Sequence, residues 1–217
     1  MSRILIVDDH PVVRQGLGHI LSLQKDLEVC GEADSVDVAI EMVEQTDPDL
    51  VLTDLSFPGR SGLELVKDLK SIRENLPVIV MSMHDEMLYA ERVLKAGGKG
   101  YLMKGTTGEQ LLEVINQVLS GKVYASPAVM DHLLYSCTGV SESSKAAFPL
   151  ERLSDRELEI FELVGNGKSS KEIGEQLKIS PRTVDVHRSN ILKKIGLTNS
   201  YELVLYAVRW IESGKVL

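Results

Sequence analysis

A chain of 217 residues, 43% of them hydrophobic, can bury one large core or two small ones, and a net charge of −8 spread evenly would exclude nucleic acid as a partner. Cys30 and Cys137 are the only cysteines and stand apart from any CxxC or Cys/His cluster, which excludes a disulfide framework and a zinc site. No run approaches the ~20 apolar residues of a membrane span, and no basic region with a long apolar core opens the chain, so a cytoplasmic protein without membrane association is expected.

From residue 3 to residue 122 short apolar runs alternate with amphipathic segments. Strands are expected at 4–7, 27–30, 50–52, 78–81 and 100–103, with helices at 11–23, 36–45, 62–71, 87–95 and 107–120. Apolar runs this continuous suit strands buried on both faces, so the pattern predicts an α/β domain with a doubly wound, five-stranded parallel sheet. A linker is expected over 122–150, with a short helix at 126–135 and a stretch of small polar residues from Cys137 to Lys145. The remainder, 151–217, reads as all helical, with helices at 154–164, 170–177, 181–195 and 200–211. Ser154 with Glu157 has capping-box spacing, and Ser180 followed by Pro181 is an N-cap with proline at the first helical position.

Charge divides the same way. Residues 1–130 carry 12 Lys+Arg against 20 Asp+Glu, a net of −8, whereas residues 131–217 carry 12 of each. Within 178–194 Lys178, Arg182, Arg188, Lys193 and Lys194 face Asp185 alone, a local net of +4. A basic stripe on a neutral domain is what a DNA reader needs.

Ligand sites of open parallel sheets form at the carboxyl ends of the strands. Asp8 and Asp9 end the first strand, Asp54 the third, Ser82 the fourth and Lys104 the fifth. Carboxylates crowded together repel, and hard oxygen ligands of this kind suit Mg²⁺, which also offsets charge on a phosphoryl group. Asp54 on the central strand is the best phosphoacceptor, with Lys104 placed to pair with the acyl phosphate and the Ser82 hydroxyl able to turn toward its oxygens. Singly, an Asp after a strand is commonly a helix cap and a Lys a solvated charge. Together at four strand ends they point to one site.

Val7-Asp8-Asp9-His10-Pro11, Thr53-Asp54-Leu55-Ser56-Phe57-Pro58-Gly59, Met81-Ser82 and Lys99-Gly100-Tyr101-Leu102-Met103-Lys104 resemble the receiver-domain signature over residues 1–121. The resemblance implies a flavodoxin-like fold, Asp54 as phosphoacceptor and a metal held by Asp9, Asp8, Asp54 and the Ser56 carbonyl. It also implies a switch in which Ser82 and Tyr101 move together, although Tyr101 equally suits ordinary core filling. Phe57 stands where methionine is common, and Gly98 and Gly105 are departures that add slack beside the fifth strand.

The segments 171–177 and 181–189 read as helix, turn, helix, the second for the major groove. Val184, Ile191 and Ile195 form an inward stripe with His187 between them; Arg182, Asp185, Ser189 and Lys193 lie opposite. Residues 153–209 resemble the LuxR/FixJ/NarL output domain through Leu153-Ser-Asp-Arg-Glu-Leu158, Ser170-Lys-Glu-Ile173, Ser180-Pro-Arg-Thr-Val184, His187 and Asn190 to Leu197. That resemblance implies a four-helix helix-turn-helix domain with Lys171, Arg182, Thr183, Asp185, Val186, Ser189 and Lys193 at the DNA and dimerisation through the last helix. Asp185 occupies a position where the family often has Lys or Arg, and a carboxylate there accepts from the amino group of cytosine.

The leading expectation is therefore a two-component response regulator, not an enzyme. Its partners are a sensor histidine kinase and double-stranded promoter DNA, it requires Mg²⁺, and it is a homodimer when active. An aspartyl-phosphate hydrolase would need a second Asp where Ser56 stands. A constitutive DNA-binding protein with a dimerising first domain is the other alternative.

Overall fold

The computed structural model describes residues 1–138 and 149–212, and the chain divides into two compact units with the boundary after Thr138. In the first unit, strands β1 (Ser2–Val7), β2 (Leu27–Ala33), β3 (Leu50–Asp54), β4 (Val78–Ser82) and β5 (Gly100–Met103) alternate with helices α1 (Pro11–Ser22), α2 (Val36–Thr46), α3 (Gly62–Ile72), α4 (Glu86–Lys95) and α5 (Gly108–Leu119). All strand pairs are parallel and the order is β2-β1-β3-β4-β5. The chain runs outward to β2, then returns past β1 to β3, so the topological switch point falls between β1 and β3.

Side chains alternate across the sheet. Ile4, Ile6, Leu50, Leu52, Ile79, Met81 and Leu102 pack with Leu17, Leu21, Leu111, Val114, Ile115 and Val118 of α1 and α5. Leu5, Val7, Val51, Val80 and Tyr101 point to the other face and are equally buried. Each fully buried aliphatic side chain contributes about 1.5–3 kcal/mol, so this two-sided core holds the strand ends rigidly in place. Ser61, Asp85 and Thr107 accept bonds from the backbone of Glu64, Met87 and Gln110, starting α3, α4 and α5 at defined residues.

Three expectations change. β2 continues to Ala33, three residues past the expected end, because it pairs with β1 through Val7 even though Gly31 and Glu32 break the apolar run. Gly98 is not slack: a Cβ there would lie 2.5 Å from Val93 Cγ1 and 3.0 Å from Val93 O, so the glycine permits a close approach of the α4–β5 turn. The helix expected at 126–135 is α6 (Pro127–Thr138), and it belongs to the first unit rather than to a linker. It packs against α4, with Val129 buried and Ser126 Oγ donating to Glu86 Oε1 at 3.0 Å. The small polar stretch after it lies, from residue 139 to residue 148, outside the described residues.

In the second unit a 3₁₀ turn at Pro149–Arg152 precedes α7 (Asp155–Gly165), α8 (Ser170–Leu177), α9 (Pro181–Ile195) and α10 (Ser200–Glu212). The turn is anchored by buried Leu150, and four residues carry too little periodicity to announce it. Ser154 with Glu157 and Ser169 with Glu172 both form capping boxes. The core is Leu158, Ile160, Phe161, Ile173, Leu177, Val184, Ile191, Leu203, Ala207 and Trp210. Phe161 meets Trp210 edge-on at 5.7 Å, joining α7 to α10. Ile195, expected in the inward stripe, is only half-buried at the end of α9.

Candidate functional site

Strand register assembles the pocket. Val7 pairs with Thr53, so Asp8 and Asp54 emerge side by side at the switch point; Asp54 pairs with Met81, and Ser82 pairs with Met103, just before Lys104. Parallel pairing thereby brings the strand ends that carry Asp8, Asp9, Asp54, Ser82 and Lys104 to the same edge of the sheet. The loop after Asp54 is held tightly: Gly62 N donates to Leu55 O at 2.6 Å, and a Cβ on Gly62 would lie 2.0 Å from the Asp54 carbonyl. Only glycine lets α3 begin so close to the end of β3.

Asp8 and Asp54 are almost wholly buried, at 2% and 5% exposure, while Asp9 lies at the mouth. Lys104 Nζ sits 2.7 Å from Asp54 Oδ2 and 2.7 Å from Asp8 Oδ2. Leu55 N donates to Asp54 Oδ1 at 2.6 Å. Asp8 Oδ1 accepts from His10 N at 2.9 Å, and the Arg14 guanidinium donates to the Asp8 carbonyl. Burial pushes the Asp54 carboxyl above its ordinary range, and the Lys104 ammonium pulls it only part of the way back. Burial opposes the charge on Lys104 as well, but its bonds to Asp54 and Asp8 outweigh this and hold it protonated.

One donor atom each from Asp8, Asp9, His10 and Asp54 lie within 4.8 Å of one another. Among the described residues Asp9 Oδ1 is buried without an aligned hydrogen-bond donor, although His10 Nδ1 approaches to 2.7 Å. Hard carboxylate oxygens with one left unsatisfied are a donor set that suits a small divalent cation.

The far rim centres on His84, which sequence reading passed over. Its Nε2 lies 2.7 Å from Ser56 Oγ, its backbone N donates to Ser82 Oγ at 3.2 Å, and its carbonyl accepts from Tyr101 OH at 2.8 Å. Tyr101 is 2% exposed, so its ring fills core and its hydroxyl is committed to the β4–α4 loop at once. The same strand-end rule that found Ser82 would have found His84 two residues later.

In the second unit Lys171, Arg182, Thr183, Asp185, Val186, Ser189 and Lys193 are all solvent-exposed. Val186 is 54% exposed, an apolar side chain left open on a charged helix face. His187 is half-buried, and its Nδ1 lies inside without a hydrogen-bond partner among the described residues, which fits a packed histidine. Asp185, expected at a groove-facing position, has Oδ1 accepting from Ser170 Oγ at 2.7 Å. Buried Glu157 holds α9 to the start of α7, since Glu157 Oε2 accepts from Lys194 Nζ at 2.6 Å and from Ser154 N at 2.7 Å.

The family model for the response regulator receiver domain matches residues 4–116, and that for bacterial regulatory proteins of the luxR family matches residues 151–207. The chain is a response regulator of the LuxR family. This regulator is 34% identical to the transcriptional regulatory protein DegU of Brevibacillus brevis, with 97% of this chain and 95% of that protein covered. It is 37% identical to the oxygen regulatory protein NreC of Staphylococcus aureus, covering 95% of this chain and 97% of that one. Among solved structures the regulator resembles the response regulator RcsB of Salmonella typhimurium at 25% identity and TM-score 0.72, covering 100% and 98% of the two chains. An RcsB structure bound to promoter DNA in the presence of the phosphomimetic BeF₃⁻ matches at 25% identity and TM-score 0.68, covering 95% and 98%. The regulator thus combines a receiver domain with a LuxR-type DNA-binding domain, as its two-component homologues do.

Proposed function

We propose that Asp54 accepts a phosphoryl group from a sensor histidine kinase and that the modified chain, a homodimer in the cytoplasm, binds double-stranded promoter DNA through α9. The single observation that carries this reading is the convergence of Asp8, Asp9, Asp54 and Lys104 at the switch point of the sheet. The receiver would span 1–121 with α6 appended to it, and the DNA-binding domain 151–217.

The donor set fits Mg²⁺, which Asp8, Asp9, Asp54 and the Ser56 carbonyl would hold. When bound, that ion supplies positive charge against the phosphoryl oxygens. Leu55 N fixes Asp54 Oδ1, so Oδ2 is the oxygen that Lys104 accompanies through the transfer. A phosphoryl group adds about −1.5 to −2 charges beside Lys104, which then turns from Asp8 toward the new oxygens. The Ser82 hydroxyl, which accepts from His84 N, turns to donate to them and releases the β4–α4 loop that also holds Tyr101. Two packings of this face, one per phosphorylation state, link the pocket to DNA binding or dimerisation.

On α9, Arg182, Thr183, Asp185, Val186, Ser189 and Lys193 would face the groove, with Lys171 of α8 at the backbone. The test is incubation with acetyl phosphate and Mg²⁺, read by intact mass. A singly phosphorylated species in the wild type and none in Asp54→Ala is expected. No modified species in the wild type would favour a constitutive DNA-binding protein.

A further inference from the structure

We infer that Ser170 is a specificity-determining positioning residue: its hydroxyl fixes Asp185 and Arg188 as one unit on the recognition helix. The inference rests on the reading of α9 as the groove-facing helix and deepens it. Ser170 is the first residue of α8, and its Oγ donates to Asp185 Oδ1 at 2.7 Å while accepting from Arg188 NH1 at 3.1 Å. A hydroxyl has one proton, so its donation to the carboxylate leaves only lone pairs for the guanidinium, and the relay runs one way, Arg188 to Ser170 to Asp185.

Asp185 and Arg188 are three residues apart on α9 and share a helix face. A free carboxylate on that face would repel phosphate, and a free arginine would contact whatever phosphate it met. Tied to Ser170, each loses rotamer freedom before DNA arrives, so its ordering cost is not charged against the bound state. Arg188 is half-buried and braces the hydroxyl from its own side, while Asp185 Oδ2, not used by Ser170, remains an acceptor for a cytosine amino group. Ser170 touches no base in this scheme; braced by Arg188, it sets where Asp185 stands. The residue therefore acts on the difference between sites rather than on affinity for DNA as such.

The experiment uses the full chain after acetyl phosphate treatment. Fluorescence anisotropy measures its affinity for a duplex that it selects from a random pool and for a scrambled duplex at the same salt. Ser170→Ala is expected to lower the selected-to-scrambled ratio about tenfold, the scale of one lost base-edge contact, with thermal unfolding little changed. Ser170→Thr, which keeps the hydroxyl, is expected to restore the ratio. Ser170→Ala combined with Asp185→Ala is expected to cost little more than the worse single change, because the two act through one relay. Equal weakening on both duplexes, failure of threonine to rescue, or additive losses in the double variant would overturn the proposal. If Arg182→Ala and Lys193→Ala leave affinity for both duplexes unchanged, α9 is not the DNA face, and the reading beneath the proposal is what has failed.

Discussion

Lys104 stands as close to Asp8 as to Asp54, with its ammonium 2.7 Å from an oxygen of each. One cation therefore compensates two buried carboxylates. Lys104→Met removes it and leaves both carboxylates without that cation, and breaking a buried pair in this way costs about 3–5 kcal/mol. Thermal unfolding in EDTA is expected to show a large drop for this variant. Added Mg²⁺ is expected to raise its melting temperature by more than it raises that of the wild type. An equal Mg²⁺ effect in both would refute the shared-cation account.

Asp54→Asn acts in the opposite direction. Burial raises the Asp54 pKa above its ordinary 3.8, so its ionised form is disfavoured in the folded chain relative to the unfolded one. That cost is therefore complete above the raised folded value and disappears below 3.8, where both states are protonated. The variant is expected to be the more stable at neutral pH without divalent cation and to gain nothing in strong acid. Urea melts at several pH values measure it, and a gain that persists undiminished in strong acid would contradict desolvation of the carboxylate as its cause.

Ser82→Ala separates chemistry from output. The side chain is fully buried, and its oxygen accepts from His84 N rather than touching Asp54. Phosphorylation by acetyl phosphate is therefore expected to proceed in the variant, within several-fold of the wild type by intact mass. The phosphorylation-dependent gain in DNA affinity is expected to be lost, because nothing then pulls on the loop that carries His84.

Acid is expected to loosen the second unit through Glu157. Burial raises that carboxyl, but Lys194 and the Ser154 cap more than offset this and leave its pKa below the ordinary 4.5. The stability this contributes is fully present above 4.5 and is lost as pH falls through the depressed folded value. Glu157→Gln is expected to cost about 1–3 kcal/mol at neutral pH and progressively less in acid. Tryptophan fluorescence reports it, since Trp210 packs on Phe161 of the helix that Glu157 opens.

Lys193→Ala tests the electrostatic share of DNA binding. Lys193 is exposed on the last turn of α9. Its loss is expected to weaken selected and scrambled duplexes alike and to reduce the slope of log affinity against log salt by about 0.9. An unchanged slope would place the side chain away from any phosphate.

The local grammar of the sequence determined the order of elements and the acids at the strand ends. Apolar runs of four or five residues, the Ser154 and Ser180 caps and the proline after Ser180 each act within one turn or one strand, so they are readable without neighbours. Asp8, Asp9, Asp54, Ser82 and Lys104 could be assigned to one crevice because parallel topology sends every carboxyl end to the same side. Contacts between side chains distant in the chain were decided only by tertiary structure. Lys104 reaching Asp8, His84 gathering Ser56 and Tyr101, α6 closing on α4, and Ser170 capturing Asp185 all depend on register, rotamer and helix crossing. Such quantities are set by the packing of the whole core, and no window of sequence carries them.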